Sequence, residues 1–115
     1  MAKGVFICVL GSRIVDIDDY PSLRDIMGGP VEAVRCGEDV MFYRLIESNA
    51  VNDRGSAAAA AMSGGAVSSV MGPIAVFGCL PSDPETYDGE EYDVPEYAIV
   101  AIEKATRGLV TNVDL

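Results

Sequence analysis

The apolar residues of this chain come in short runs, each cut by Gly, Pro, Asn or charge. The first is Val5-Phe6-Ile7-Cys8-Val9-Leu10. Too brief for a helix and rich in strand-forming side chains, it predicts a buried strand over residues 4–10. Gly11-Ser12 turns the chain, and Arg13-Ile14-Val15-Asp16-Ile17-Asp18 alternates with period two. That alternation predicts a half-buried strand paired with the first. No uninterrupted apolar segment approaches the roughly 20 residues that a membrane-spanning helix needs.

The remaining runs follow the same punctuation. Leu23, Ile26 and Met27 share one face of a short helix, which Pro21 starts and Gly28-Gly29 ends. Residues 31–35 alternate, Cys36-Gly37-Glu38-Asp39 turns the chain, and the apolar run 40–46 returns, which predicts a hairpin. Residues 49–55 carry polar turn chemistry. Ser56 heads five consecutive alanines and Met62, a helix of one or two turns that needs packing to be stable. Pro73 precedes the strand Ile74-Ala75-Val76-Phe77, a placement that suits a residue unable to donate to a ladder. Residues 81–96 hold seven acids, no base and three Pro, and predict a solvated acidic loop. A C-terminal helix is expected over about residues 94–107, with Asp93 and Glu96 at capping-box spacing, Pro95 in its first turn and Gly108 as its stop.

At 115 residues and 12.1 kDa the chain is expected to form a single domain, 1–115, that buries about two thirds of its unfolded surface. Thirteen of its apolar residues are Ala, so the core of large side chains is thin. Antiparallel strands with few helices imply an α+β fold: a small antiparallel sheet of about five strands with two or three helices on one face.

Charge and residue types narrow the chemistry. The formal net charge is −10, which repels nucleic-acid phosphate, and direct nucleic-acid binding is not expected. The chain has no His, which removes imidazole-dependent triads and metal sites. Three cysteines without a C-x-x-C spacing read as reduced thiols of a cytoplasmic protein. Cys8 and Cys79 fall in apolar runs and read as core, while Cys36 falls in a polar turn expected to be exposed. Ser63, Ser68 and Ser69 have no imidazole to activate them, and no catalytic residue, metal or cofactor is assigned. The acids around Asp88-Gly89 miss the spacing of a calcium loop, because Tyr87 stands where an acid is needed. Arg24, Arg35, Arg44 and Arg54, with Asn52, lie beside turns and are the candidate ligand-binding residues, although Glu32 and Arg44 also suit a cross-strand pair.

Leu23, Ile26-Met27-Gly28-Gly29, Val31-Glu32-Ala33-Val34, Asn52-Asp53-Arg54-Gly55 and Val70-Met71-Gly72-Pro73-Ile74-Ala75-Val76-Phe77-Gly78 occur in that order. This series resembles a small domain-of-unknown-function family of bacteriophage and mobile elements, over most of residues 3–80. In that family a Gly-Gly after a short helix, an Asn-containing turn and a late Gly-containing strand recur. Family members often carry a polar Pro-Asn-Arg-like segment where this chain has its alanines 57–61. The resemblance implies a small accessory protein of phage or prophage type and carries no activity with it.

The reading is therefore a non-catalytic binding protein, acting in counter-defence by sequestering a nucleotide-like small molecule or a host protein. It is expected to self-associate through an edge strand and the Ala-rich segment. Two alternatives stand beside it. One is an acidic DNA mimic that inhibits a nucleic-acid enzyme through Asp83, Glu85, Asp88, Glu90, Glu91 and Asp93. The other is a small hydrolase.

Overall fold

Five of the short apolar runs pair into one sheet. In the computed structural model, residues 2–9, 11–17, 20–36, 39–48, 50–67, 69–78 and 93–106 are described. The strands are β1 (Ala2–Cys8), β2 (Gly11–Ile17), β3 (Val31–Arg35), β4 (Val40–Leu45) and β5 (Ile74–Gly78). The helices are α1 (Tyr20–Met27), α2 (Asp53–Ser63) and α3 (Glu96–Thr106). The sheet runs β2-β1-β5-β4-β3 with every neighbouring pair antiparallel. The α+β class, the five strands and the three helices agree with the sequence expectation.

The helices are shared between the two faces rather than gathered on one. Successive side chains of a strand point to opposite faces. Val5 and Ile7 of β1, Val40 and Phe42 of β4, and Ile74 and Val76 of β5 therefore build one core, with Ala58 and Ala59 of α2 and Ala98 and Ile102 of α3. Met41, Tyr43, Ala75 and Phe77 face the other way and join Leu23 and Met27 of α1. The unbroken apolar runs of β4 and β5 are the sequence counterpart of this two-sided burial. Small alanines at the α2–α3 contact let the two helices lie close above the sheet, which explains an alanine-rich segment in a core of few large side chains. On the opposite face the Phe77 ring meets Tyr43 edge-on, 5.9 Å between centroids. It also lies over Gly4, where a Cβ would stand 2.5 Å from the ring.

Four local expectations change. Strand β1 starts two residues earlier than the expected 4–10 and ends before Val9. Cys36 is buried, not exposed, because the β3–β4 ladder extends by one more bond, from Cys36 N–H to Val40 O at 3.1 Å. Helix α2 begins at Asp53 instead of behind Ser56, since Asn52 caps it one turn sooner. Asp93 bonds the Lys3 N–H of β1 at 2.8 Å and so anchors the entry to α3. Cys79 and all of the acidic loop up to residue 92 lie outside the described residues. No helix among the described residues is long and apolar enough to cross a membrane.

Candidate functional site

One end of the sheet gathers most of the residues in question. Ile7 pairs with Ile74 and Arg44 also pairs with Ile74, so the ends of β1 and β4 meet the start of β5 there. The start of β3 joins them through Val31–Leu45, and with it the end of α1. Helix α2 starts at the same end, tied by the bridge Val51–Met71 and by Gly72 N–H to Ala50 O at 2.7 Å.

Asn52 organises this end from inside. Its side chain is fully buried, with Nδ2 donating to Gly72 O at 2.8 Å and Ile7 O at 3.2 Å. Its Oδ1 accepts the Gly55 N–H at 2.9 Å, the bond of a helix N-cap. A side chain at position 55 would collide with that amide, since a Cβ there lies 2.6 Å from Asn52 Nδ2. Ser56 adds a second tie: its Oγ accepts the Val70 N–H at 2.9 Å. Asn52 thus joins β1, the approach to β5 and the α2 N-terminus.

The four candidate arginines do not converge. Arg54 is buried in the first turn of α2. Arg44 lies on the α2–α3 face, its Nε donating to Glu32 Oε1 at 2.7 Å as a cross-strand ion pair. Arg24 is exposed on the last turn of α1, on the other face, beside an open depression of about 500 Å³ lined with Pro21, Asp25, Gly28 and Gly29. The Gly28 and Gly29 N–H groups both donate to Arg24 O, at 2.8 and 3.2 Å, so they cap the helix rather than point at an anion. Gly64 and Gly65 likewise donate to Ala60 O. Arg35 sits at the opposite end of the sheet, paired with Met41. Three arginines and Asn52 therefore share an end but are divided between two faces and the interior. Of the acidic candidates, Asp93 is engaged with β1, and Asp83, Glu85, Asp88, Glu90 and Glu91 lie outside the described residues.

The Glu32–Arg44 pair is about half exposed, 46% and 42%, and water screens it. A double-mutant cycle with Glu32→Ala and Arg44→Ala is expected to give a coupling below about 1 kcal/mol by urea denaturation. A larger coupling would mark the pair as structural.

The sequence reading passed over a different set of residues at this end. Val9, Ile46, Val51 and Met71 are exposed by 56, 57, 57 and 42% respectively. They are four of the seven large apolar side chains exposed among the described residues: Val9 and Ile46 follow strands that end here, Met71 precedes β5, and Val51 lies before α2, bridged to Met71. No local signal marks them: Val9 and Ile46 fall in runs read as strands, and connection residues such as Val70 and Val94 are buried in the core. Exposed carboxylates of Asp25, Glu47 and Asp53 occupy the same end. Gathered apolar residues with a polar rim suit protein contact, whereas isolated ones would need no explanation.

No family model, curated protein or solved structure matches this chain.

Proposed function

We propose that this protein is a non-catalytic binding protein that captures a basic protein partner at the end of the sheet bearing Val9, Ile46, Val51 and Met71. The observation that supports this reading is the gathering of those exposed side chains on the connections around Asn52, next to Glu47 and Asp53. Asn52 gives the surface a fixed shape, which lowers the ordering cost of binding. The net charge of −10 steers a basic partner toward it. In a bacteriophage-type setting, which the sequence pattern resembles, the partner is a host factor of the cytoplasm and the role is counter-defence. A protein partner fits better than a nucleotide-like one, because the arginines that would hold phosphate are buried, paired or separated by the sheet.

Val51→Glu with Met71→Glu is expected to weaken capture of the partner by roughly thirtyfold or more, the effect of losing about 2 kcal/mol at the centre of an interface. Both side chains are exposed, so melting should stay within a few degrees of wild type. A thermal-shift panel of signalling nucleotides is expected to show no stabilisation. A ligand at 100 times its Kd adds roughly 2.7 kcal/mol, so a shift of several degrees would overturn the reading in favour of a small-molecule site.

A further inference from the structure

A second surface, the outer edge of the sheet that runs on from that end, points to a different occupant. Strand β2 lies at the edge of the sheet, and among the described residues only β1 pairs with it. Cys8 and Gly11 flank a two-residue connection, which makes them a hydrogen-bonded pair of a tight hairpin. Hydrogen-bonded and non-bonded pairs alternate along an antiparallel ladder. The N–H and C=O groups of Ser12, Ile14 and Asp16 are therefore turned away from β1, onto the open edge. Ile14 is 51% exposed and borders a cleft of about 130 Å³ between β2 and α3, lined also by Val5, Ile99, Ile102 and Glu103. The strand is seven residues long, contains no Pro, and pairs with β1 without a bulge. It thus lacks several of the devices that blunt an edge. The other edge, β3, has five residues, starts after Pro30, and carries the Glu32–Arg44 ion pair.

We propose that β2 pairs antiparallel with β2 of a second copy of this chain, about a two-fold axis at Ile14. Ile14 is the midpoint of β2, so this register alone pairs all seven residues. The outward groups of Ser12, Ile14 and Asp16 then face those of Asp16, Ile14 and Ser12 in the other copy, giving roughly six backbone hydrogen bonds. The two exposed Ile14 side chains meet across the axis. Both charged residues of the strand find neutral partners, with Asp16 opposite Ser12 and Arg13 opposite Val15, so no like charges stand directly opposed. Arg13 is also held over the Phe6 ring of its own chain, 5.4 Å from the centroid. A register centred on Arg13 would instead place the two arginines face to face. The five-stranded sheet becomes one continuous ten-stranded sheet, and both edges that lay beside the α3 cleft are closed.

The test is sedimentation equilibrium of the full chain, where wild type is expected to pass from monomer to dimer as its concentration rises. Ile14→Pro removes an N–H that faces outward, so it leaves the β1–β2 ladder intact. It is expected to stay monomeric with an unchanged circular dichroism spectrum. Ser12→Lys places a cation opposite Asp16 of the other copy, twice per dimer. Within one chain the two positions lie about 13 Å apart along the strand, too far to pair. That variant is expected to tighten the dimer roughly two- to thirtyfold, and Ser12→Asp to loosen it by a similar factor. Glu103 lines the cleft beside Ser12, so association rather than melting is the quantity to read. A wild type that is monomeric at every concentration overturns the proposal. So does a dimer indifferent to both Ser12 substitutions.

Discussion

Replacing Asn52 by Ala is expected to lower stability by roughly 3–5 kcal/mol. The change removes a helix N-cap, worth about 1 kcal/mol, and leaves Gly72 O and Ile7 O without their side-chain donor in the interior. Each buried polar group deprived of a partner costs about 1–3 kcal/mol. For a chain whose total stability is expected near 5–15 kcal/mol, that is a large fraction. The urea midpoint should fall sharply while the slope of the transition is kept, and melting should drop by more than 10 °C. Asn52→Asp separates the contributions. It keeps an acceptor for the Gly55 N–H but offers carboxylate oxygen to two carbonyls, so it is expected to be no better than Ala. Gly55→Ala reaches the same latch from the other side, because its Cβ would stand 2.6 Å from the Asn52 amide. A loss below about 1 kcal/mol for Asn52→Ala would show that the amide is available for something other than the fold.

Phe77→Ala is expected to cost a comparable amount, roughly 3–5 kcal/mol, through lost burial and the cavity left between Tyr43 and Gly4. Phe42→Ala is expected to cost about the same from the opposite face, since both rings are fully buried. The comparison tests the two-sided architecture. Were all the helices on one face, one of these rings would meet water and its truncation would be nearly neutral, within about 0.5 kcal/mol. Denaturant titration of the two variants side by side reads this directly.

These two residues also show which parts of the fold were legible in the sequence. The strands were visible because alternation and β-branching act locally, as in residues 31–35 and 13–17. Helix α1 was visible because Leu23, Ile26 and Met27 recur at helical spacing before a Gly pair. The two-sided burial was less so. The runs of β4 and β5 are apolar on both faces, but that pattern does not say which helix covers which face. Asn52 was marked as a candidate ligand residue because it lies in polar turn chemistry next to Arg54. That its amide bonds Gly72 and Ile7 depends on contacts 20 and 45 residues away, which no local pattern encodes. The exposed group Val9, Ile46, Val51 and Met71 was hidden for the same reason. Its members are distant in sequence and come together only through the strand order. Cys36 was misplaced because one more ladder bond carries the strand past its last alternating residue.

Capture by the apolar end of the sheet is open to site-specific photo-crosslinking in the producing cell. A benzophenone-bearing amino acid is placed at Val51 or Met71, and as a control at Lys104, which is exposed on α3. Adducts to one basic protein are expected from positions 51 and 71 and none from 104, with the purified partner losing affinity for the Val51→Glu, Met71→Glu variant. Adducts in equal yield from all three positions, or none from 51 and 71, would contradict it.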